Sequence, residues 1–81
     1  MSPGELAEAL RLAERGDWHG AHAVVQRDES DPVACWLHAV LHRQEGDLAN
    51  ARYWYARCGR RLRKRIAPGD ELAEIRAVLR D

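Results

Sequence analysis

The stretch LAEALRLAERGDWHGAHAVVQ at residues 6–26 returns, thirty residues later, as WLHAVLHRQEGDLANARYWYA at residues 36–56. Gly16-Asp17 becomes Gly46-Asp47, Ala21 becomes Ala51, and Val25 becomes Tyr55. Leu6, Ala9 and Leu10 return as Trp36, Ala39 and Val40. A fixed offset of this size marks a helix-pair unit that buries its apolar face against a neighbouring copy. Outward from this duplication the rest of the chain falls into place as an all-α domain of five helices.

Ser2 and Glu5 bracket Pro3 as a capping box, which opens helix 1. Its apolar stripe is Leu6, Ala9, Leu10 and Ala13, and Arg15-Gly16 closes it. Asp17 caps helix 2, with Trp18, Ala21 and Val25 inward. Asp31-Pro32 starts helix 3, which carries Val33, Trp36, Leu37, Val40 and Leu41 and stops at Glu45-Gly46. In helix 4, after Asp47, the apolar positions Leu48, Ala51, Tyr55, Cys58, Leu62 and Ile66 stay in phase through Gly59. That phase predicts one long helix to about residue 66; the competing reading is a stop at Gly59 followed by a short basic helix. Ala67-Pro68-Gly69 breaks the chain, and Leu72, Ile75, Val78 and Leu79 define a final helix. The expected organisation is a single domain over 1–81, with unit one at 3–30, unit two at 32–66 and a capping helix at 69–81.

Eighty-one residues are near the lower limit for one self-sufficient core. Thirteen basic residues balance thirteen acidic ones, so net charge selects no partner. The distribution is lopsided: residues 1–50 hold four Arg against nine acids, and residues 51–69 hold seven basic residues and no acid. Two cysteines are too few for a disulfide scaffold. The start Ser2-Pro3-Gly4-Glu5 lacks a basic and apolar signal segment, and Val33 to His42 is too short an apolar stretch for a bilayer. A cytoplasmic protein with reduced thiols, making no membrane contact, is expected.

The Gly46-Asp47-Leu48, Ala51, Tyr55 pattern, with small Ala39 before it, resembles the tetratricopeptide repeat or the related Sel1-like repeat. Gly16-Asp17-Trp18, Ala21, Val25 and Ala9 play the same parts in the first unit. The match covers residues 3–58. It departs from the family in a spacing about one helical turn short of the usual ~34 residues. His42 stands where the family places a tyrosine and His38 where it places a leucine. The resemblance implies two tandem antiparallel hairpins plus a capping helix. It also implies a non-catalytic protein-interaction module, whose first helices line a groove. Leu6, Leu10, Trp36, Val40, Arg43 and Gln44 would then form a shallow peptide pocket, although packing of Trp36 against helix 1 fits its character equally.

All four histidines fall on helices 2 and 3. His19 and His22 are three apart and His38 and His42 four apart, so each pair shares a face. Two antiparallel helices joined near residues 30–31 bring His19 level with His42, and His22 level with His38. Imidazoles converging from two helices suit zinc, nickel or copper. The plainer account is a set of hydrogen-bonded core and solvated side chains. No carboxylate stands at a metalloprotease spacing, so catalysis is not expected, and a divalent metal is the only cofactor the pattern suggests.

Arg57, Arg60, Arg61, Arg63, Lys64 and Arg65 crowd residues 57–65, with Arg52, Tyr53 and Trp54 just before. On a continued helix Arg57, Arg60, Arg61 and Lys64 would share one side, facing an acidic protein or peptide, or the acidic surface of a second copy in a homodimer. Nucleic acid is the further alternative, weakened by the zero net charge.

Overall fold

The computed structural model describes residues 1–80. Five helices follow in order: α1 (Pro3–Glu14), α2 (Trp18–Val25), α3 (Pro32–Gln44), α4 (Leu48–Arg57) and α5 (Pro68–Arg80). There is no strand among the described residues, and the fold is all-α. None of the helices is long and apolar enough to cross a membrane.

Local sequence signals set most of the helix ends. At Ser2 the hydroxyl accepts from the Glu5 N–H while the Glu5 carboxylate accepts from the Ser2 N–H, which is the expected capping box. Asp17, Asp31 and Asp47 cap the next three helices through side-chain oxygens that accept from Gly20, from Val33 and Ala34, and from Asn50. Three helices end on the same device. Gly16, Gly46 and Gly59 adopt φ values of 83°, 85° and 73°, in the left-handed region. The N–H after each glycine reaches back five residues to a carbonyl: Asp17 to Leu12, Asp47 to His42 and Arg60 to Tyr55, all at 2.8–2.9 Å.

The third of these turns corrects the expected helix 4. It ends at Arg57, and residues 58–67 run as an irregular segment, with no short basic helix in their place. Leu62 packs half-buried against the core and Ile66 is half-buried, both in that segment rather than at helical positions. The phase persisted because a strap crossing the core also needs apolar residues every few positions.

α1 packs with α2 and α3 with α4, each across a tight turn, so the partners run antiparallel. α3 is the central helix and touches all four others. Nine consecutive residues, Ala34 to His42, are therefore buried, and no polar face remains on that length. Ala9, Ala21, Ala34, Ala39 and Ala51 are fully buried at the helix seams, where small side chains permit close approach. α5 lies across α1 and α3, contributing Leu72 and Ile75 to the core. Val78, expected on the same inward face, is exposed instead.

Candidate functional site

The first helix of each unit does not line an open groove, because α5 fills that space. Trp36 is 3% exposed and Val40 is fully buried. Arg43 is held by Glu71, a carboxylate only 1% exposed, through Nη1 at 2.7 Å from Oε1, and its Nη2 donates to the Ile66 carbonyl at 2.5 Å. Glu71 also accepts from Trp36 Nε1 at 2.8 Å and from Tyr55 Oη at 2.6 Å. Burial and this bond to Glu71 push the Tyr55 hydroxyl well above its ordinary value. Of the expected pocket residues only Gln44 stays exposed, its Nε2 making a long contact with the Ala13 carbonyl. The expected groove is thus a sealed polar joint. A charge cannot enter an apolar core without a partner, so α5 brings the acid that Arg43 needs.

Three of the four histidines converge. His22 and His38 meet Nε2 to Nε2 at 3.1 Å, as their level positions on α2 and α3 require. One ring nitrogen from each of His22, His38 and His42 lies within 4.8 Å of the others. His42 Nδ1 is bonded to the Glu45 carboxylate at 2.6 Å. His19 does not join; it is exposed, and its ring meets the edge of Trp18. A step of three residues turns the helix about 60° short of a full turn, enough to swing His19 out of the seam.

Tryptophans fix these rings in place. Trp18 stacks on His22 with centroids 4.5 Å apart, and Trp54 stacks on His38 at 3.8 Å. Trp18 is itself anchored by donating Nε1 to the Leu41 carbonyl at 2.6 Å. Trp54 is buried against His38, while Tyr53 beside it is 54% exposed. Burial, then the neighbouring His22, His42 and Arg57, hold His38 down to about 3; burial and His42 also lower His22. Both rings favour the neutral form, and across the 3.1 Å contact one Nε2 donates while the other accepts.

Because helix 4 stops early, Arg57, Arg60, Arg61 and Lys64 do not share one helix face. Arg57 covers Trp54 and Tyr53, with its guanidinium carbon 5.1 and 5.8 Å from the ring centres and Nη1 donating to Tyr53 Oη. Arg60 lies over the Trp36 ring at 3.4 Å, as a lid on the buried joint. Arg61 and Lys64 extend into solvent. Arg63 turns the other way, to Glu74 at 2.5 Å and Glu71 at 3.6 Å.

Cys35 and Cys58 are free thiols at the start of α3 and the end of α4. Cys35 donates to the Trp54 carbonyl at 3.3 Å. Burial, with Cys35 beside it, pushes the Cys58 thiol up to about 11, the opposite of the lowered pKa of a nucleophile.

Two features thus stand out, a triad of histidines in the α2–α3 seam and a band of cations on α4 and the segment after it. The buried joint at Glu71 was not read from the sequence, although an acid four residues before Ile75, on the apolar face of α5, was the available signal. No family model, no curated protein and no solved structure matches the chain.

Proposed function

We propose that this chain is a non-catalytic, tetratricopeptide-like interaction module of the cytoplasm. It docks an acidic segment of another protein on the outer side of α4 and the strap 58–67. One observation carries the reading. Arg27, Arg43, Arg63 and Arg76 are each matched to a carboxylate within 4 Å. Arg52, Arg57, Arg60, Arg61, Lys64 and Arg65 have no such partner among the described residues. Within fourteen residues the surface therefore keeps six cations whose counter-charges must come from outside. Tyr53, exposed beside Arg57, adds the kind of rigid aromatic that concentrates binding energy when paired with arginine.

The partner surface accordingly moves from the sealed groove to the basic band. Zero net charge supports a protein partner over a nucleic acid, whose phosphates reward overall positive charge. The test is fluorescence anisotropy with a labelled Glu/Asp-rich peptide and, in parallel, a duplex DNA of equal charge. Saturable, salt-sensitive binding of the peptide, abolished by Arg57→Glu with Arg61→Glu, is the expected result. Tighter binding of the DNA than of the peptide would reverse the assignment. Sedimentation of the free chain over a concentration series tests whether a second copy supplies the acids.

A further inference from the structure

The interaction reading uses none of the histidines, yet three of them form a partly buried cluster. Three imidazoles reach one spot from two helices: His38 and His42 from successive turns of α3, His22 from α2 opposite. We infer that His22, His38 and His42 form a binding site for a divalent first-row transition ion of the zinc class, with solvent completing the coordination. The inference does not depend on the acidic partner.

Four observations carry it. One edge of the cluster has the right spacing. Two nitrogens ~2.0–2.1 Å from a tetrahedral zinc sit roughly 3.3–3.4 Å from each other. His22 and His38 Nε2 are 3.1 Å apart, so a shift of a few tenths of an ångström, with the proton they share moving to the donor ring's Nδ1, opens a coordination edge. The orientation is fixed. Trp18 and Trp54 clamp two of the rings by stacking, which holds them ready for a ligand. The third ring has an outer carboxylate. Glu45 occupies Nδ1 of His42, leaving Nε2 as the nitrogen that His42 can offer; a carboxylate behind a ligating imidazole fixes its tautomer and raises its basicity. The donor set suits the ion. Neutral nitrogens, with no thiolate among them, favour zinc, nickel or copper over calcium or magnesium. His22 is only half-buried, which gives the ion a path in.

Nearby acids do not compete for the role. Asp47 lies within reach of His42 and Glu45, but its Oδ1 already accepts from the Asn50 N–H as the α4 cap. His19, exposed at the rim, is the internal control.

The experiment is titration of chelator-stripped, full-length protein with zinc by calorimetry, repeated with cobalt(II) and followed by absorbance and tryptophan emission. The expected result is one zinc per chain. Cobalt should give the intense visible bands of a tetrahedral site and quench emission, because tryptophans stack directly on two of the ligands. His22→Gln should weaken zinc roughly tenfold or more, and Glu45→Gln roughly 10–100-fold, as loss of an outer-shell partner does. His19→Gln should leave affinity within about twofold, a change too small to mark a lost ligand. Helicity is checked for each variant; if His22→Gln unfolds, Glu45→Gln, on a half-exposed side chain, carries the comparison. Absence of saturable zinc or cobalt binding by the folded protein would overturn the inference and leave a hydrogen-bonded core cluster. A pale octahedral cobalt spectrum, or equal losses from His19→Gln and His22→Gln, would overturn it too.

Discussion

Replacing Glu71 should uncouple α5 from the rest of the molecule. Its carboxylate accepts from three buried or nearly buried donors, Trp36 Nε1, Arg43 Nη1 and Tyr55 Oη. In Glu71→Leu the Arg43 guanidinium, whose side chain is 7% exposed, is left without its counter-charge. Removing one member of a buried ion pair costs about 3–5 kcal/mol. A chain of this length has a total stability of roughly 4–12 kcal/mol, so the variant should lose at least about a quarter of it, or fold with α5 detached. Guanidinium denaturation followed by far-ultraviolet circular dichroism separates these. A fall in midpoint at constant slope reports a weaker but intact domain, whereas a smaller slope reports surface already exposed before the transition. Adding Arg43→Met and Tyr55→Phe to Glu71→Leu should recover at least ~1 kcal/mol, because the stranded charge and hydroxyl disappear together. If Glu71→Leu costs less than about 1 kcal/mol, or its effect simply adds to that of Arg43→Met within ~0.5 kcal/mol, the buried joint is not what holds α5.

Gly59→Ala should destabilise by about 1–2 kcal/mol, the penalty for a side chain at positive φ; nothing lies within 4 Å of the new methyl, so a larger loss in thermal melts would contradict the turn geometry. Asp47→Ala removes the α4 cap and should cost about 1 kcal/mol in urea unfolding, with no change in zinc affinity if that aspartate is only a cap. In metal-free protein, stability should fall as pH drops below about 6.5. His38 titrates near 3 when folded, held there by burial and by His22 from α2, His42 from its own helix and Arg57 from α4. Its ordinary value is near 6.5, so between these limits the unfolded chain binds the extra proton; the loss approaches ~1.4 kcal/mol per pH unit. Denaturation midpoints that are flat between pH 6.5 and 5 would refute a neutral buried His38.

What the sequence revealed and what it hid divide along one physical line. Caps and stops are local: Ser2 with Glu5, Asp31 with Pro32, and Gly16 and Gly46 before aspartates act within a few residues. They were legible for that reason. Gly59 sends the same local message, but the apolar rhythm of Cys58, Leu62 and Ile66 seemed to carry helix 4 onward. Rhythm reports burial, and a strap over a core is buried at intervals too. The level rule for antiparallel helices brought His22 to His38 correctly, because it depends only on helix rise. It misplaced His19, because facing depends on rotation about the axis. Glu71 was missed because the need for it is non-local: Arg43 lies 28 residues away and only the packing of α5 brings the two together. The groove expected from Trp36, Val40 and Arg43 was a correct reading of apolar surface and a wrong reading of what covers it.

The placement of α5 against both α1 and α3 also sets an order of events. Glu14 on α1 pairs with Arg76 on α5 across 62 positions of chain, one of the most distant contacts here. During synthesis the four helices that make up the duplicated units leave the ribosome before the one that seals them, with Trp36 lacking its acceptor and Arg43 uncompensated. Nascent chains tend to fold from the N-terminal side, and exposed apolar surface at that stage invites association. The final helix is therefore the cover that a chain shortened before α5 would lack, and such a chain is expected to associate where the full one does not.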